Sequence, residues 1–430
     1  MIVILLLYLF VCILMLFSYA SISLSVASVI TLTINISTFI YYTRKYQRDN
    51  LLSFHFLFSL SYFLSVYAYF IIGRGHIDYS GYKILLNINN ELFVIKALVV
   101  STMAYLIYIF GAYLANNRKK DWETVNYTYS KEAEWICFLL SFVLFLLFFI
   151  FKTRIIVRAE FTEAILLYTV VVFLNNKVLG TNSLRLFFRR NKLYCFLFIL
   201  SCYFFLVMGS RHGFLTIFLP AVVLFSLYIK TIRKRYIFIG IILFWLLFIW
   251  VKYARVDMLD EFNMKNMSLF GDFLPASLAT PFFIEYTESY GYTYGSNYLL
   301  VVLSIIPFLA GLVQKSGFVS AQESHYFFTT YINGEDFDSG LGTSMVGDLY
   351  YSFGFIGVVV AFFLVGYFSS WLHHENTTNP LASPYAGIAF CGLMSEAFFM
   401  TRGVFLIVVK PIAFMFIVYF IITIITRQRR

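Results

Sequence analysis

The sequence predicts an all-α polytopic membrane protein, and three observations lead to that fold class. Apolar runs of about 17–22 residues recur from end to end, each long enough to cross a hydrocarbon core of roughly 30 Å. Hydrophobic residues make up 61% of the chain and charged residues only 13%. The runs also lack the amphipathic periods of a soluble fold and the short alternating segments of a membrane barrel.

The apolar runs can be assigned to spans in chain order. We expect spans near residues 2–18, 22–42, 51–72, 92–114, 135–151, 161–176, 193–209, 213–230, 236–252, 298–314, 354–372, 384–400 and 404–425. Cytoplasmic loops carry an excess of Lys and Arg, which orients the spans. Basic clusters at 44–48, 118–120, 185–190 and 233–235 fall on alternate loops, so we expect a cytoplasmic N-terminus.

The parity of the spans breaks down between residues 252 and 357. The basic tail also requires a cytoplasmic C-terminus, which an odd number of spans cannot give. Either 270–286, with Pro275 and Pro281, enters the membrane, or 298–314 does not cross. We therefore predict 12 or 14 transmembrane helices with an irregular outer-face segment, re-entrant or interfacial. Irregular backbone at membrane depth is tolerated only where it is buried in protein or lines a wet cavity.

Polar sequence is concentrated in the second half of the chain. We predict one integral membrane domain, 1–430, in which the outer loop segments 253–297 and 315–353 form the site, because acidic residues crowd positions 257–348. The net charge of +10 suits cytoplasmic Lys and Arg that face anionic membrane lipids. Basic residues are divided among short loops and form no basic domain, so a nucleic-acid partner is not expected.

Arg211 is the first candidate site residue. It lies between two apolar runs in the sequence Gly209-Ser210-Arg211-His212-Gly213. An Arg at the centre of a membrane helix costs roughly 2.5–3.5 kcal/mol on insertion scales, so the charge needs a cavity or an anion. A guanidinium offers a planar fork of donors to phosphate oxygens. The alternative is a polar turn whose Arg extends to the interface.

Two further arginines are expected near the same face. Arg255 follows one span, and Arg402 lies between two apolar runs, with Glu396 shortly before it. Three arginines gathered from separate hairpins would suit a diphosphate, whose leaving charge a fixed cationic cradle stabilises without a metal. The alternatives are a membrane anchor at Arg255 and mutual neutralisation of Glu396 and Arg402.

Asp348, His325 and His212 are the candidates for a general base. Asp348 lies just after a glycine-rich entry to a helix that Ser344 would cap. A carboxylate or imidazole on the outer face would accept the proton of a sugar hydroxyl; for Asp348, capping and packing are the alternative. The formal Asp-x-Asp at Asp336 and Asp338 is interpreted as a solvated turn, and neither a metal nor a cofactor is expected.

Three stretches resemble the bacterial oligosaccharide repeat-unit polymerases of the Wzy type, which make O-antigen or capsule. Gly209-Ser210-Arg211 before an apolar helix is similar to the family's G-S-R-G element, although His212 separates Arg211 from Gly213. The run 342–357 is similar to its late pattern of small residues, an acid, tyrosine and F-G-x-x-G; the acid is Asp348, where Glu is common. Arg402-Gly403 is similar to a late arginine.

The resemblance implies a metal-independent GT-C-like glycosyltransferase on the outer, periplasmic side of the bacterial inner membrane. It would transfer a growing glycan from undecaprenyl diphosphate to another undecaprenyl-diphosphate-linked repeat unit. Arg211, Arg255 and Arg402 would hold the diphosphate, and Asp348, His325 or His212 would activate the acceptor. Membrane lipids and a chain-length regulator are the other expected partners. A lipid-linked oligosaccharide flippase and an O-antigen ligase are the alternatives.

Overall fold

The computed structural model describes residues 1–47, 51–72, 91–117, 127–151, 155–255, 273–303, 323–333 and 342–427. These residues form helices and no strand. The helices are α1 Ile2–Phe17, α2 Leu24–Tyr46, α3 Phe54–Ile72, α4 Glu91–Asn116, α5 Lys131–Ile150, α6 Ile155–Val178, α7 Leu184–Arg190, α8 Lys192–Val207, α9 Arg211–Tyr228, α10 Lys234–Arg255, α11 Leu274–Tyr290, α12 Ser296–Leu303, α13 Ser324–Asn333, α14 Met345–Thr378, α15 Pro384–Ser395 and α16 Val409–Arg427.

Seven helices within the described ranges are long and apolar enough to cross a membrane. The bent pair α7 and α8, with 96° between its arms, would make an eighth span. Shorter apolar helices coincide with other predicted spans, at Ile2–Phe17, Phe54–Ala68 and Pro384–Ser395. The predicted all-α polytopic class is therefore confirmed, while the count of 12 to 14 stays a prediction.

Helices α4 and α14 approach each other closely at the centre of the bundle. A side chain at Gly366 would collide with the carbonyl oxygen of Tyr108, and one at Gly111 would collide with that of Phe363. Small residues at such crossings let membrane helices bring their backbones into contact. This central pair fixes α14, and the candidate site begins at the N-terminal end of that helix.

A buried polar network joins α2, α3, α4 and α14 at a second place, away from the start of α14. The His55 ring lies 2.5 Å from the Tyr108 hydroxyl through Nδ1 and 2.8 Å from the Ser370 hydroxyl through Nε2. Tyr42 contacts the same Ser370 hydroxyl at 3.0 Å. Buried polar groups require such partners. The network therefore has a structural role, and it fastens these four helices to one another.

Within the segment 253–303, residues 274–284 are more deeply embedded than a peripheral loop. The described part of the segment includes α11, which begins with a proline in its first turn and is buried over nearly all of 274–284. Helix α11 packs against α3, α4 and α14. It is therefore an interior helix, consistent with the alternative in which 270–286 enters the membrane. Helix α12 covers the first part of the expected span 298–314, and the rest lies outside the described residues.

Two irregular elements interrupt the helices beside α11. Helix α14 is kinked at Gly354, whose φ of 66° and ψ of −157° are not helical. Helix α15 ends at Ser395, and the chain then forms 3₁₀ turns at Met400–Arg402 and Phe405–Val408 before α16. The start of α14 and the turns after α15 are in contact and frame the candidate site.

Candidate active site

The Arg211 hairpin is a tight turn at Met208–Ser210 between α8 and α9. Gly209 has a φ of 66°, which side chains rarely permit, and the Ser210 hydroxyl caps α9 by accepting the Gly213 N–H at 3.2 Å. A methyl group on Gly213 would lie 2.5 Å from the Phe205 ring. Arg211 is consequently the first residue of α9, which begins two residues before the predicted start at 213.

Arg158 of α6 contacts the same hairpin, and the sequence did not predict this contact. Its guanidinium donates a hydrogen bond to the Ser210 hydroxyl and lies 5.8 Å from the centre of the Phe205 ring. The sequence carried one signal for this role, because Arg158 lies between the predicted spans 135–151 and 161–176, where the positive-inside rule disfavours a cation. A second arginine therefore supports the turn that presents Arg211.

His212 joins the hairpin to a segment nearly two hundred residues later. Its Nε2 lies 3.3 Å from Oε2 of Glu396, and its ring meets the Phe399 ring edge-on with centroids 4.4 Å apart. Glu396 follows α15 directly, and the turn it begins leads to Arg402. These contacts bring the Arg211 turn against the segment that carries Arg402.

Arg402 connects that segment to the start of α14. Its guanidinium carbon lies 5.2 Å from the centre of the Phe273 ring, and its carbonyl oxygen accepts the Thr343 N–H at 3.3 Å. The neighbouring Gly342 has a φ of 80° and lets the chain pass close to that carbonyl. Arg402 thus lies beside the glycine-rich entry to α14 that the sequence singled out.

The predicted cap at Ser344 is confirmed. Its hydroxyl accepts the Gly347 N–H at 2.9 Å and lies 2.6 Å from the Thr280 hydroxyl of α11. Asp348 is therefore in the first turn of α14, where the helix dipole favours a negative charge.

Asp348 is fully buried and its carboxylate is surrounded by protein donors. Oδ1 accepts the Ser324 hydroxyl at 2.5 Å, while Oδ2 accepts the Tyr298 hydroxyl at 2.5 Å and the Phe405 N–H at 2.8 Å. The donors come from α13, α12 and the turn after Arg402. Asp348 therefore joins three elements to α14.

His325 lies next to Ser324 at the start of α13. Burial lowers the pKa of its imidazole, and the nearby Asp348 partly opposes that effect. Its Nδ1 is 3.3 Å from Oε2 of Glu323, whose own pKa burial raises. That Nδ1 is buried but has no partner with hydrogen-bond geometry within the described residues. His325 is thus favoured in its neutral form.

Three other residues singled out from the sequence have side chains outside the described part of the structure. Arg255 ends α10, but its side chain lies outside the described part of the structure, as do Asp336 and Asp338. Among the residues that are described, no group of three or more His, Cys, Asp or Glu side chains is arranged to hold a metal ion.

Taken together, the site is polar and lies where helices end inside an apolar bundle. The Arg211 and Arg402 turns meet through His212, and Asp348 fixes the Arg402 turn from the other side. Arginines on such turns can bind phosphate oxygens, and a neutral histidine can accept a proton. This fold and site define a multi-pass α-helical membrane protein in which separate helix ends bring arginine, histidine and carboxylate side chains together.

Comparison with protein families identifies the family to which the chain belongs. The family model described as O-antigen polysaccharide polymerase Wzy matches residues 187–429, more than half of the chain. The chain belongs to the Wzy family of O-antigen polysaccharide polymerases. It is therefore a bacterial multi-pass membrane polymerase that acts on lipid-linked oligosaccharide repeat units. All six predicted site residues fall within the matched region. No curated protein and no solved structure matches the chain.

Proposed function

We propose that this polymerase transfers the growing glycan from undecaprenyl diphosphate to the non-reducing-end sugar of another undecaprenyl-diphosphate-linked repeat unit. The diphosphate leaves with the electron pair of the broken glycosidic bond. Arg211 and Arg402 bind it, with Arg255 as a third cation, and neutralise the charge that develops in the transition state. Neither a metal ion nor a nucleotide sugar is required.

The contact between the two arginine-bearing turns carries this proposal. His212 meets Glu396 and Phe399, so the turn that starts with Gly209 packs against the turn that ends with Arg402. A membrane protein that keeps cations between its apolar segments usually uses them for an ionic substrate. Two guanidinium groups supplied by separate turns match the two phosphates of a diphosphate.

A histidine is the better candidate for the base than Asp348. The side chains of His212 and His325 are 45% and 39% exposed, whereas Asp348 is fully buried with three donors on its carboxylate. An acceptor hydroxyl must come within hydrogen-bond reach of its base. We therefore assign the proton transfer to a histidine and give Asp348 the role of holding the surrounding segments.

The membrane arrangement follows from the charge pattern. We place both termini in the cytoplasm and the site on the periplasmic side of the inner membrane, with 253–297 and 315–353 contributing its outer segments. The basic loops then face anionic lipids. A chain-length regulator would contact the same protein to set the number of repeat units.

Purified protein with undecaprenyl-diphosphate-linked repeat units provides the test. We expect longer lipid-linked glycans and one undecaprenyl diphosphate released per bond, with EDTA present and no nucleotide sugar added. Arg211→Lys and Arg402→Lys keep the charge but lose the planar fork, so turnover should fall by roughly 10²-fold. The matched control is Arg233→Lys, at an exposed position between α9 and α10.

A strict need for a metal or a nucleotide sugar would exclude this reaction. Full activity of both arginine variants at normal protein levels would return Arg211 and Arg402 to the role of interfacial anchors.

A further inference from the structure

His212 and Glu396 form a dyad with one buried and one open side. The Glu396 side chain is 6% exposed and that of His212 is 45% exposed, with Oε2 and Nε2 3.3 Å apart. Glu396 lies directly after α15, and His212 lies in the first turn of α9. The carboxylate is thus enclosed by protein, and the imidazole beside it is partly exposed.

Glu396 is fixed in place by its own backbone. Its carbonyl oxygen accepts the N–H of Met400 at 2.8 Å and that of Phe399 at 3.0 Å, which closes the turn after α15. The Phe399 ring then packs edge-on against the imidazole of His212. The carboxylate and the aromatic ring are therefore held on one rigid turn, and together they set the orientation of the histidine.

This orientation decides which ring nitrogen can accept a proton. A carboxylate is an acceptor only, so the nitrogen that faces Glu396 carries the hydrogen in the neutral imidazole. Nε2 is that nitrogen, which leaves Nδ1 with its lone pair. We propose that Glu396 is a positioning residue that holds His212 in the Nε2–H form, with Nδ1 as the base for the acceptor hydroxyl. The inference rests on the proposed function.

The proton transfer balances within the glycosyl transfer. The acceptor hydroxyl gives its proton to Nδ1 of His212 while its oxygen forms the bond to the anomeric carbon of the donor. The bond from that carbon to the diphosphate breaks, and its electron pair leaves on undecaprenyl diphosphate. The imidazolium is stabilised beside Glu396 until it returns the proton to the released diphosphate or to water.

The other candidate bases lack this arrangement. His325 lies 3.3 Å from Glu323, but that carboxylate is 31% exposed and the contact lacks hydrogen-bond geometry. Asp348 accepts three hydrogen bonds and has no exposed surface. Among these three, His212 alone combines a buried carboxylate partner with an open ring.

Four variants test the dyad in purified protein. His212→Gln keeps an amide N–H near the position of Nε2, so it preserves the contact with Glu396 but has no base. His212→Ala opens space for added imidazole, and Glu396→Gln removes the charge. Glu163→Gln is the matched control, because Glu163 is equally buried on the adjacent α6 and one of its carboxylate oxygens has no hydrogen-bond partner among the described residues.

We expect kcat to fall roughly 10²-fold or more in both His212 variants, with little change in KM. Imidazole should restore turnover to His212→Ala but not to His212→Gln. Loss of the positioning carboxylate in Glu396→Gln should lower kcat roughly 10- to 100-fold, as does loss of the carboxylates that orient metal-bound histidines. The double variant of His212→Gln with Glu396→Gln should be no slower than His212→Gln alone. Glu163→Gln should keep normal turnover.

NMR spectroscopy of the histidine rings distinguishes a change in the tautomer of His212 from a general loss of folded structure. The chain has six histidines, so ¹⁵N-histidine labelling gives few signals, and His212→Gln identifies the one that belongs to His212. We expect the Nε2–H tautomer in the unaltered protein and a shift toward the Nδ1–H tautomer in Glu396→Gln.

Three results would overturn the dyad: normal kcat in His212→Gln, an unchanged tautomer in Glu396→Gln, or equal loss in Glu163→Gln. None of them would remove the arginine-dependent release of undecaprenyl diphosphate. Failure of that release in the unaltered protein would instead contradict the proposed function.

Discussion

Phe405 donates its backbone N–H to the Asp348 carboxylate across 2.8 Å, although the two residues lie 57 positions apart in the chain. The bond joins the first turn of α14 to the 3₁₀ turn that follows Arg402. Because Tyr298 and Ser324 donate to the same carboxylate, α12 and α13 are fixed to that point as well. Asp348 therefore sets the position of the Arg402 turn through the backbone of Phe405.

Asp348→Asn should release the Arg402 turn. An amide can accept with only one of its two polar atoms, so at least one of the three donors loses its acceptor in a buried site. Each such loss costs about 1–3 kcal/mol. We expect a lower melting temperature and faster hydrogen exchange in the peptide that contains Phe405.

Single-donor variants provide the comparison for Asp348→Asn. Tyr298→Phe and Ser324→Ala each remove one hydrogen bond and should have smaller effects on both measurements. Unchanged exchange at Phe405 in Asp348→Asn would show that the turn is held by other contacts.

The sequence was sufficient for the membrane class and for the hairpin at Arg211. Long apolar runs report directly on spans, and Gly209 with Ser210 specifies a local turn and cap. The sequence also placed Asp348 in the first turn of a helix capped by Ser344. Each of these features depends on residues within a few positions of one another.

The partners of these residues could not be predicted from the sequence. Mutual neutralisation of Glu396 and Arg402 was one alternative from the sequence, whereas the contact of Glu396 with His212 of another helix was not predicted. Arg158 was not assigned to the Ser210 turn, although it donates to that hydroxyl. Both contacts depend on how α6, α9 and the turn after α15 pack, and local sequence holds little information on that packing.

Ser210→Ala should weaken substrate binding through Arg211. The hydroxyl caps α9 and accepts from Arg158, so its loss weakens the first turn of α9 and removes one of the contacts of Arg158. Loss of a serine cap costs about 0.5–2 kcal/mol. We expect a higher KM for the lipid-linked donor and shorter glycans, measured by gel ladders at equal protein levels. Ser210→Thr keeps the hydroxyl and should remain close to normal; equal activity of the two variants would contradict this role.

Gly354→Ala should be strongly destabilising, because the added methyl group would clash with a neighbouring ring and the backbone conformation at this position disfavours any side chain. A methyl group at Gly354 would lie 2.9 Å from Cζ of Tyr292, and the φ and ψ of 66° and −157° are almost confined to glycine. We expect a loss of about 1–3 kcal/mol or more, seen as a lower melting temperature. Gly240→Ala is the control, since nothing lies within 4 Å of its added methyl. Similar melting temperatures for the two variants would mean that α14 is not held in this kink.

Thermal stability should fall on acidification because of His325. Burial lowers the pKa of its imidazole below the ordinary 6.5, so the unfolded chain takes up a proton that the folded protein resists. The stability from this residue is therefore present above pH 6.5 and is lost as the pH falls below it.

The effect of Glu323 on stability has the opposite sign. Burial raises its pKa above the ordinary 4.5, so the free-energy cost of burying the charged carboxylate is relieved as the pH falls. His325→Gln should make the melting temperature less sensitive to pH between about pH 7.5 and pH 5.5, whereas His374→Gln, at an exposed position of α14, should not. A pH dependence that survives unchanged in His325→Gln would assign it to other groups.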